Sequence, residues 1–156
     1  MSKQLGDSLP DEAVSWLVGG NPVVVSTIDE DGPYSCLVGS CVAIDPQTLR
    51  FAMFGTSRTL DNLRADGRVF IETLGDDLVI GARGLATVVK DPMDSSAYPP
   101  HAYVMIEVSV ISVKDDYPPG SKISGMSYDF ANSRDPEERM ARRGNLIEEL
   151  RTWQVR

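Results

Sequence analysis

The feature that most constrains this chain is a succession of short β-branched and apolar runs, each closed by a turn signal. Val23-Val24-Val25-Ser26-Thr27-Ile28 comes first and ends in the hairpin sequence Asp29-Glu30-Asp31-Gly32. A run of small and apolar residues follows from Pro33 and Tyr34 towards Ile44, stopped by Asp45-Pro46-Gln47-Thr48. Leu49-Arg50-Phe51-Ala52-Met53, Val69-Phe70-Ile71-Glu72-Thr73-Leu74, residues 78–89 and residues 103–113 complete the set. Runs of this composition between Gly, Pro and Asp clusters read as strands. A parallel sheet would need a helix after each strand, and only one short helix, near residues 60–65, interrupts the series. Gly81 and Gly84 inside the fifth run suit a strand that bends around a small closed sheet. The expectation is a mainly β fold, a six-stranded antiparallel barrel with a helix at each end.

The first helix is expected at about residues 10–19, with Ser8 as cap, Pro10 in the first turn and Gly19-Gly20 as its stop. The last is expected at about residues 135–154, with Glu137 and Glu138 in the favoured first turn and Met140, Ile147 and Leu150 as its apolar side. Residues 91–100 hold three prolines and read as a connection. A length of 156 residues suits a single domain over residues 1–156.

Charge narrows the function. A formal net charge of -8 argues against non-specific binding of nucleic acid or of an anionic membrane. No apolar run approaches the roughly 20 residues that span a bilayer, and the first residues lack the apolar core of a signal peptide. The expected location is cytoplasmic. Cys36 and Cys41, the only cysteines, fall five apart in one apparent strand and read as small buried thiols on opposite faces, without disulfide or metal. His101 has no nucleophile partner in a recognisable motif, and no Gly-x-Gly-x-x-Gly or Walker-type loop occurs. Asp29-Glu30-Asp31 reads as a solvated hairpin tip. Arg139, Arg142 and Arg143, balanced by Glu137, Glu138, Glu148 and Glu149, read as a solvated helix face.

One stretch carries chemistry. In Phe54-Gly55-Thr56-Ser57-Arg58-Thr59-Leu60-Asp61-Asn62-Leu63-Arg64, three hydroxyls and a guanidinium occupy four consecutive positions at a helix start. Unpaired N–H groups and a partial positive charge at such a start favour an anion. The simpler reading makes Ser57 or Thr59 the helix cap and Arg58 a solvated charge. The run from Pro33 and Tyr34 towards Ile44, with small side chains on both faces, can pack a core on one side and admit a flat ligand on the other.

The order of these pieces resembles the FMN-binding split-barrel family related to pyridoxamine 5'-phosphate oxidase. The resemblance runs over residues 10–113. It rests on the Asp-Gly-Pro hairpin, on Ser35-Cys36-Leu37-Val38-Gly39-Ser40, on Thr56-Ser57-Arg58-Thr59 with Asn62-Leu63-Arg64, and on Gly81-Ala82-Arg83-Gly84. It implies FMN at a homodimer interface. Ser57, Arg58 and Thr59, within the segment from Thr56, would hold the phosphate, and Asn62 would support the loop or reach the ligand. The flavin ring would lie along Leu37, Val38, Gly39 and Ser40, with Met53 and Phe54 nearby. The chain departs from the oxidase proper at its end, where Arg151-Thr152-Trp153-Gln154 offers no Arg-His pair for pyridoxamine phosphate; Trp153 reads as packing the last helix onto the barrel. The resemblance therefore implies a flavin-dependent oxidoreductase acting on an unknown small substrate. It leaves open a non-catalytic flavin-binding or redox-sensing module, and a deazaflavin- or haem-binding member of the same fold. No side chain is an evident acid or base, and no catalytic residue is assigned.

Overall fold

The computed structural model describes residues 2–95 and 102–155. His101 and the later part of the 91–100 connection lie outside them. In chain order the elements are β1 (Lys3–Gly6), α1 (Asp11–Leu17), β2 (Val23–Asp29), β3 (Gly32–Val38), β4 (Cys41–Asp45), β5 (Thr48–Phe54), α2 (Arg58–Ala65), β6 (Arg68–Gly75), β7 (Leu78–Lys90), β8 (Tyr103–Asp115) and α3 (Pro136–Thr152).

Eight strands form one antiparallel sheet rather than six. Their order is β3-β2-β6-β7-β8-β5-β4, with β1 added on β8. β1 escapes a reading by hydrophobicity because Lys3-Gln4-Leu5-Gly6 offers a single apolar residue, the partly buried Leu5, among exposed neighbours; it is a strand because its backbone pairs Lys3 with Asp115 and Gln4 with Lys114. The second expected run is two strands. Val38 ends β3 against β2, and Cys41 begins β4 against β5, with Gly39-Ser40 between them.

That break defines the architecture. β3 and β4 are the two ends of the sheet path, yet only two residues separate them in the chain. The sheet therefore curls until its ends meet at Gly39-Ser40. The described ladders pair β3 only with β2 and β4 only with β5. The result is a barrel with an open seam. The curl is built into β7, which shifts register against β8 at Arg83/Gly84. A Cβ on Gly84 would sit 2.5 Å from Val108 Cγ1 and 2.6 Å from the Ser109 carbonyl oxygen, so only glycine lets the strands approach there.

The barrel interior is filled by Val23, Val25, Leu49, Phe51, Ile71, Ile80, Ile106 and Val108. α1 adds Ala13 and Leu17 and α2 adds Leu60 and Leu63 to the same core. α1 is shorter than expected, and Ser8 donates to Asp7 instead of capping it; Pro10 holds the cap position with no side-chain bond. A second apolar layer lies outside the barrel. There Leu146 and Leu150 of α3 pack on Val42, Ala52 and Met105, with Ile147 and Trp153 beside them. Trp153 thus packs α3 onto the barrel, as expected.

Candidate functional site

The site is the seam. A cleft of about 280 Å³ opens where β3 ends, β5 ends and α3 begins. Its floor is Leu37, Val38, Gly39 and Ser40 from one side of the seam and Ala52, Met53 and Phe54 from the other. These six of the expected ring-binding residues, Leu37 to Ser40 with Met53 and Phe54, lie together although β3 and β5 are not hydrogen-bonded neighbours. Phe54 stacks on Tyr103 with centroids 4.8 Å apart and planes 16° apart. Opposite them, Tyr128 and Phe130 meet edge to face at 5.6 Å. An apolar floor between aromatic walls is suited to a flat ring.

The remaining wall comes from α3. Arg139, Arg142 and Arg143, expected to be a solvated face, line the cleft with Leu146. Arg139 lies over the Phe130 ring at 4.6 Å and Arg143 over the Tyr128 ring at 4.4 Å. Arg143 is also tied to the seam: Nε donates to Ser40 Oγ at 3.2 Å, and Nη2 donates to the carbonyls of Gly20 at 2.8 Å and Gly39 at 3.2 Å. Arg142 pairs with Glu138. The signal for this face was present in the sequence. Residues 139, 143, 146 and 150 recur at intervals of four, three and four, so the stripe that buries Leu146 and Leu150 runs on through Arg139 and Arg143. Tyr128 and Phe130 carry no such signal, because they sit in an irregular segment placed only by tertiary contacts.

The second expected group lies on α2, apart from the cleft lining. Ser57 is the N-cap of α2, and its Oγ accepts from the Leu60 N–H at 3.1 Å. Arg58 pairs with Asp29 at 2.6 Å and reaches Asp31 at 3.5 Å, over the Tyr34 ring at 5.2 Å. The acidic hairpin tip is therefore not simply solvated; it holds Arg58. Thr59 is buried with its Oγ1 3.1 Å from Cys36 Sγ. Asn62 is buried and donates through Nδ2 to Thr27 Oγ1 at 3.0 Å. Thr56 is exposed in the turn before α2.

Cys36 and Cys41 are free thiols in different strands, not opposite faces of one. Cys36 is half-buried, and burial pushes the Cys41 thiol up to about 12, so it carries no thiolate near neutral pH. No cluster of metal-binding side chains occurs among the described residues. No helix among them is long and apolar enough to cross a membrane.

No protein-family model and no curated protein matches the chain. Solved structures do. A protein from Lactobacillus delbrueckii described as a candidate pyridoxamine 5'-phosphate oxidase superposes with a TM-score of 0.56 at 21% identity, over 71% of this chain and 98% of that one. An F420 reductase superposes at 0.54 and 19% identity, over 67% and 98% of the two chains. A FAD-binding protein from Mesorhizobium loti superposes at 0.52 and 12% identity, over 74% and 98%. At such identities the likeness is one of fold.

Proposed function

From the premise that this chain has the split-barrel fold of the pyridoxamine 5'-phosphate oxidase-like proteins, we propose that it binds FMN and works as a flavin-dependent oxidoreductase on a small molecule. The observation that carries the reading is the convergence of Leu37, Val38, Gly39, Ser40, Met53 and Phe54 on one seam cleft with aromatic walls. The floor takes the flat ring by apolar contact, and the strand ends at the seam offer backbone partners for its polar edge. The bound flavin supplies hydride or electron transfer between a reduced nicotinamide and an acceptor. The protein's part is to bind, orient and exclude water.

The phosphate is assigned to the segment of Thr56, Ser57, Arg58 and Thr59, with Asn62 fixing α2 behind it. The hydroxyls of Ser57 and Thr59 are already engaged, so Arg58 is the main donor there, and a phosphate must compete with Asp29 for it. This gives the reading a signed test. Arg58→Ala removes a charge-assisted bond of about 1.5–3 kcal/mol, about a 10- to 150-fold loss of FMN affinity. Asp29→Asn releases Arg58 and tightens FMN. Riboflavin, without phosphate, binds parent and both variants alike. Flavin fluorescence titration reads the ranking; opposite effects of the two variants on FMN support the assignment, and no effect of either places the phosphate elsewhere. The absorbance spectrum of the purified protein tests the cofactor itself, flavin bands against a haem or deazaflavin spectrum.

A further inference from the structure

The α3 wall of the cleft is not explained by holding a flavin ring. Three guanidinium groups line it, of which Arg142 is paired with Glu138, and no carboxylate lines it among the described residues, in a chain whose net charge is -8. Arg143 is the decisive one. Its described partners, the carbonyls of Gly20 and Gly39 and the hydroxyl of Ser40, are all neutral, so they fix its position without neutralising its charge. A guanidinium has five N–H donors. Those bonds engage Nε and Nη2, and Nη1 has no partner among the described residues. The guanidinium also lies over the Tyr128 ring, 4.4 Å from its centroid. Gly39 makes this seating possible, since a Cβ there would lie 2.5 Å from Tyr128 Oη.

We infer that this wall is a substrate site for a planar aromatic acid, with Arg143 receiving the carboxylate while Tyr128 and Phe130, against the same wall, flank the ring. The chemistry follows from the lining. A pre-positioned guanidinium beside an apolar floor binds an anion attached to a flat apolar body better than it binds either part alone. The inference rests on the flavin reading for the fate of the ligand, which would lie against the cofactor, and not for its binding.

Calorimetric titration of the full-length protein with 2-naphthoate and with the neutral isostere 2-naphthamide tests it. The expected result is binding of the acid about tenfold or more tighter than the amide, with the difference shrinking as salt rises. Arg143→Gln should bring the acid down to the amide's level, and Arg143→Lys should restore part of the gap. Because the acid-amide comparison uses the parent protein, a variant that disturbs α3 does not decide the matter. Equal binding of acid and amide, or no binding of the acid, overturns the inference. Competition separates the two sources of an anion. If FMN displaces naphthoate and riboflavin does not, the wall holds the cofactor's own phosphate, and the substrate assignment is wrong. Binding of naphthoate by a protein that takes up no flavin would sink the flavin reading alone and leave the anion site standing.

Discussion

Three arginines show how far one residue type is set by its surroundings. Arg58 is half-exposed and held by the acidic hairpin; Arg143 is anchored on neutral oxygens. Arg50 is buried inside β5, where Nε donates to Glu107 at 2.8 Å and Nη1 donates to the carbonyls of Leu150 and Trp153 at 3.1 and 2.8 Å. It thereby satisfies carbonyls at the C-terminal end of α3, where a cation is also favoured by the helix dipole. Removing one partner of such a set leaves the others buried and unpaired. Arg50→Met should cost about 2–4 kcal/mol in urea unfolding, below the limit for a fully buried pair because Glu107 keeps 30% of its side chain exposed. Adding Glu107→Gln should return part of the loss; a single variant within 0.5 kcal/mol of the parent, roughly the scatter of neutral surface changes, would refute the role. None of these fates was legible locally. The helix start at residues 57–59 could be read, and Ser57 does cap it, but the partners of Arg50 lie 57 and 100 residues away.

At the scale of elements, the strands were legible because half-buried pairing leaves a period-two pattern, as in β6, where Val69, Ile71 and Thr73 are buried between more exposed neighbours. The seam was not. Residues 34–44 have small side chains on both faces, so the pattern gives no phase error where the strand breaks. α3 was placed to within two residues at its ends, yet its facing was misread, because the stripe towards the barrel changes from Leu to Arg halfway along. What fixes that facing is a clasp. Burial pushes the Glu149 carboxyl up, but it accepts from Lys90 Nζ at 2.8 Å and from the N–H groups of Asp94 and Ser95 at 2.8 and 2.6 Å, and these bonds hold it below its ordinary value. A carboxylate depressed in the folded state adds stability above its unfolded value near 4.5, and that stability is lost as pH falls through the lower folded value. Glu149→Gln should therefore destabilise the protein by about 1–3 kcal/mol at neutral pH. The gap between variant and parent should narrow as the pH is lowered below 4.5. Thermal melts at a series of pH values would show it, and a gap constant with pH would mean that the charge contributes nothing.

At the scale of the whole molecule, the open seam sets the remaining question. Leu37, on the cleft floor, keeps 61% of its surface exposed, and on the outer face of β7 and β8 Leu85 and Ile111 keep 50% and 53%. A cofactor bound over Leu37 alone would keep one face in water, and Leu85 and Ile111 offer apolar surface on which a second subunit could pack. This is the physical case for the homodimer, and it makes the assembly separable from the fold. Ile111 and Leu85 are not part of the barrel core, so charged replacements there leave the interior packing intact. Burying each such side chain is worth about 1.5–3 kcal/mol, and an isologous interface uses each one twice. Ile111→Asp with Leu85→Asp should thus dissociate the proposed dimer at micromolar concentration while the circular dichroism spectrum and the urea baseline stay those of a folded β protein. Sedimentation velocity against concentration reads the assembly. Flavin titration of the same samples reads the consequence: weakened FMN in the dissociated variant means that the partner subunit completes the site. A parent protein that sediments as a 17.0 kDa monomer while holding FMN would rule out the proposed dimer and leave the seam cleft as a site complete in one chain.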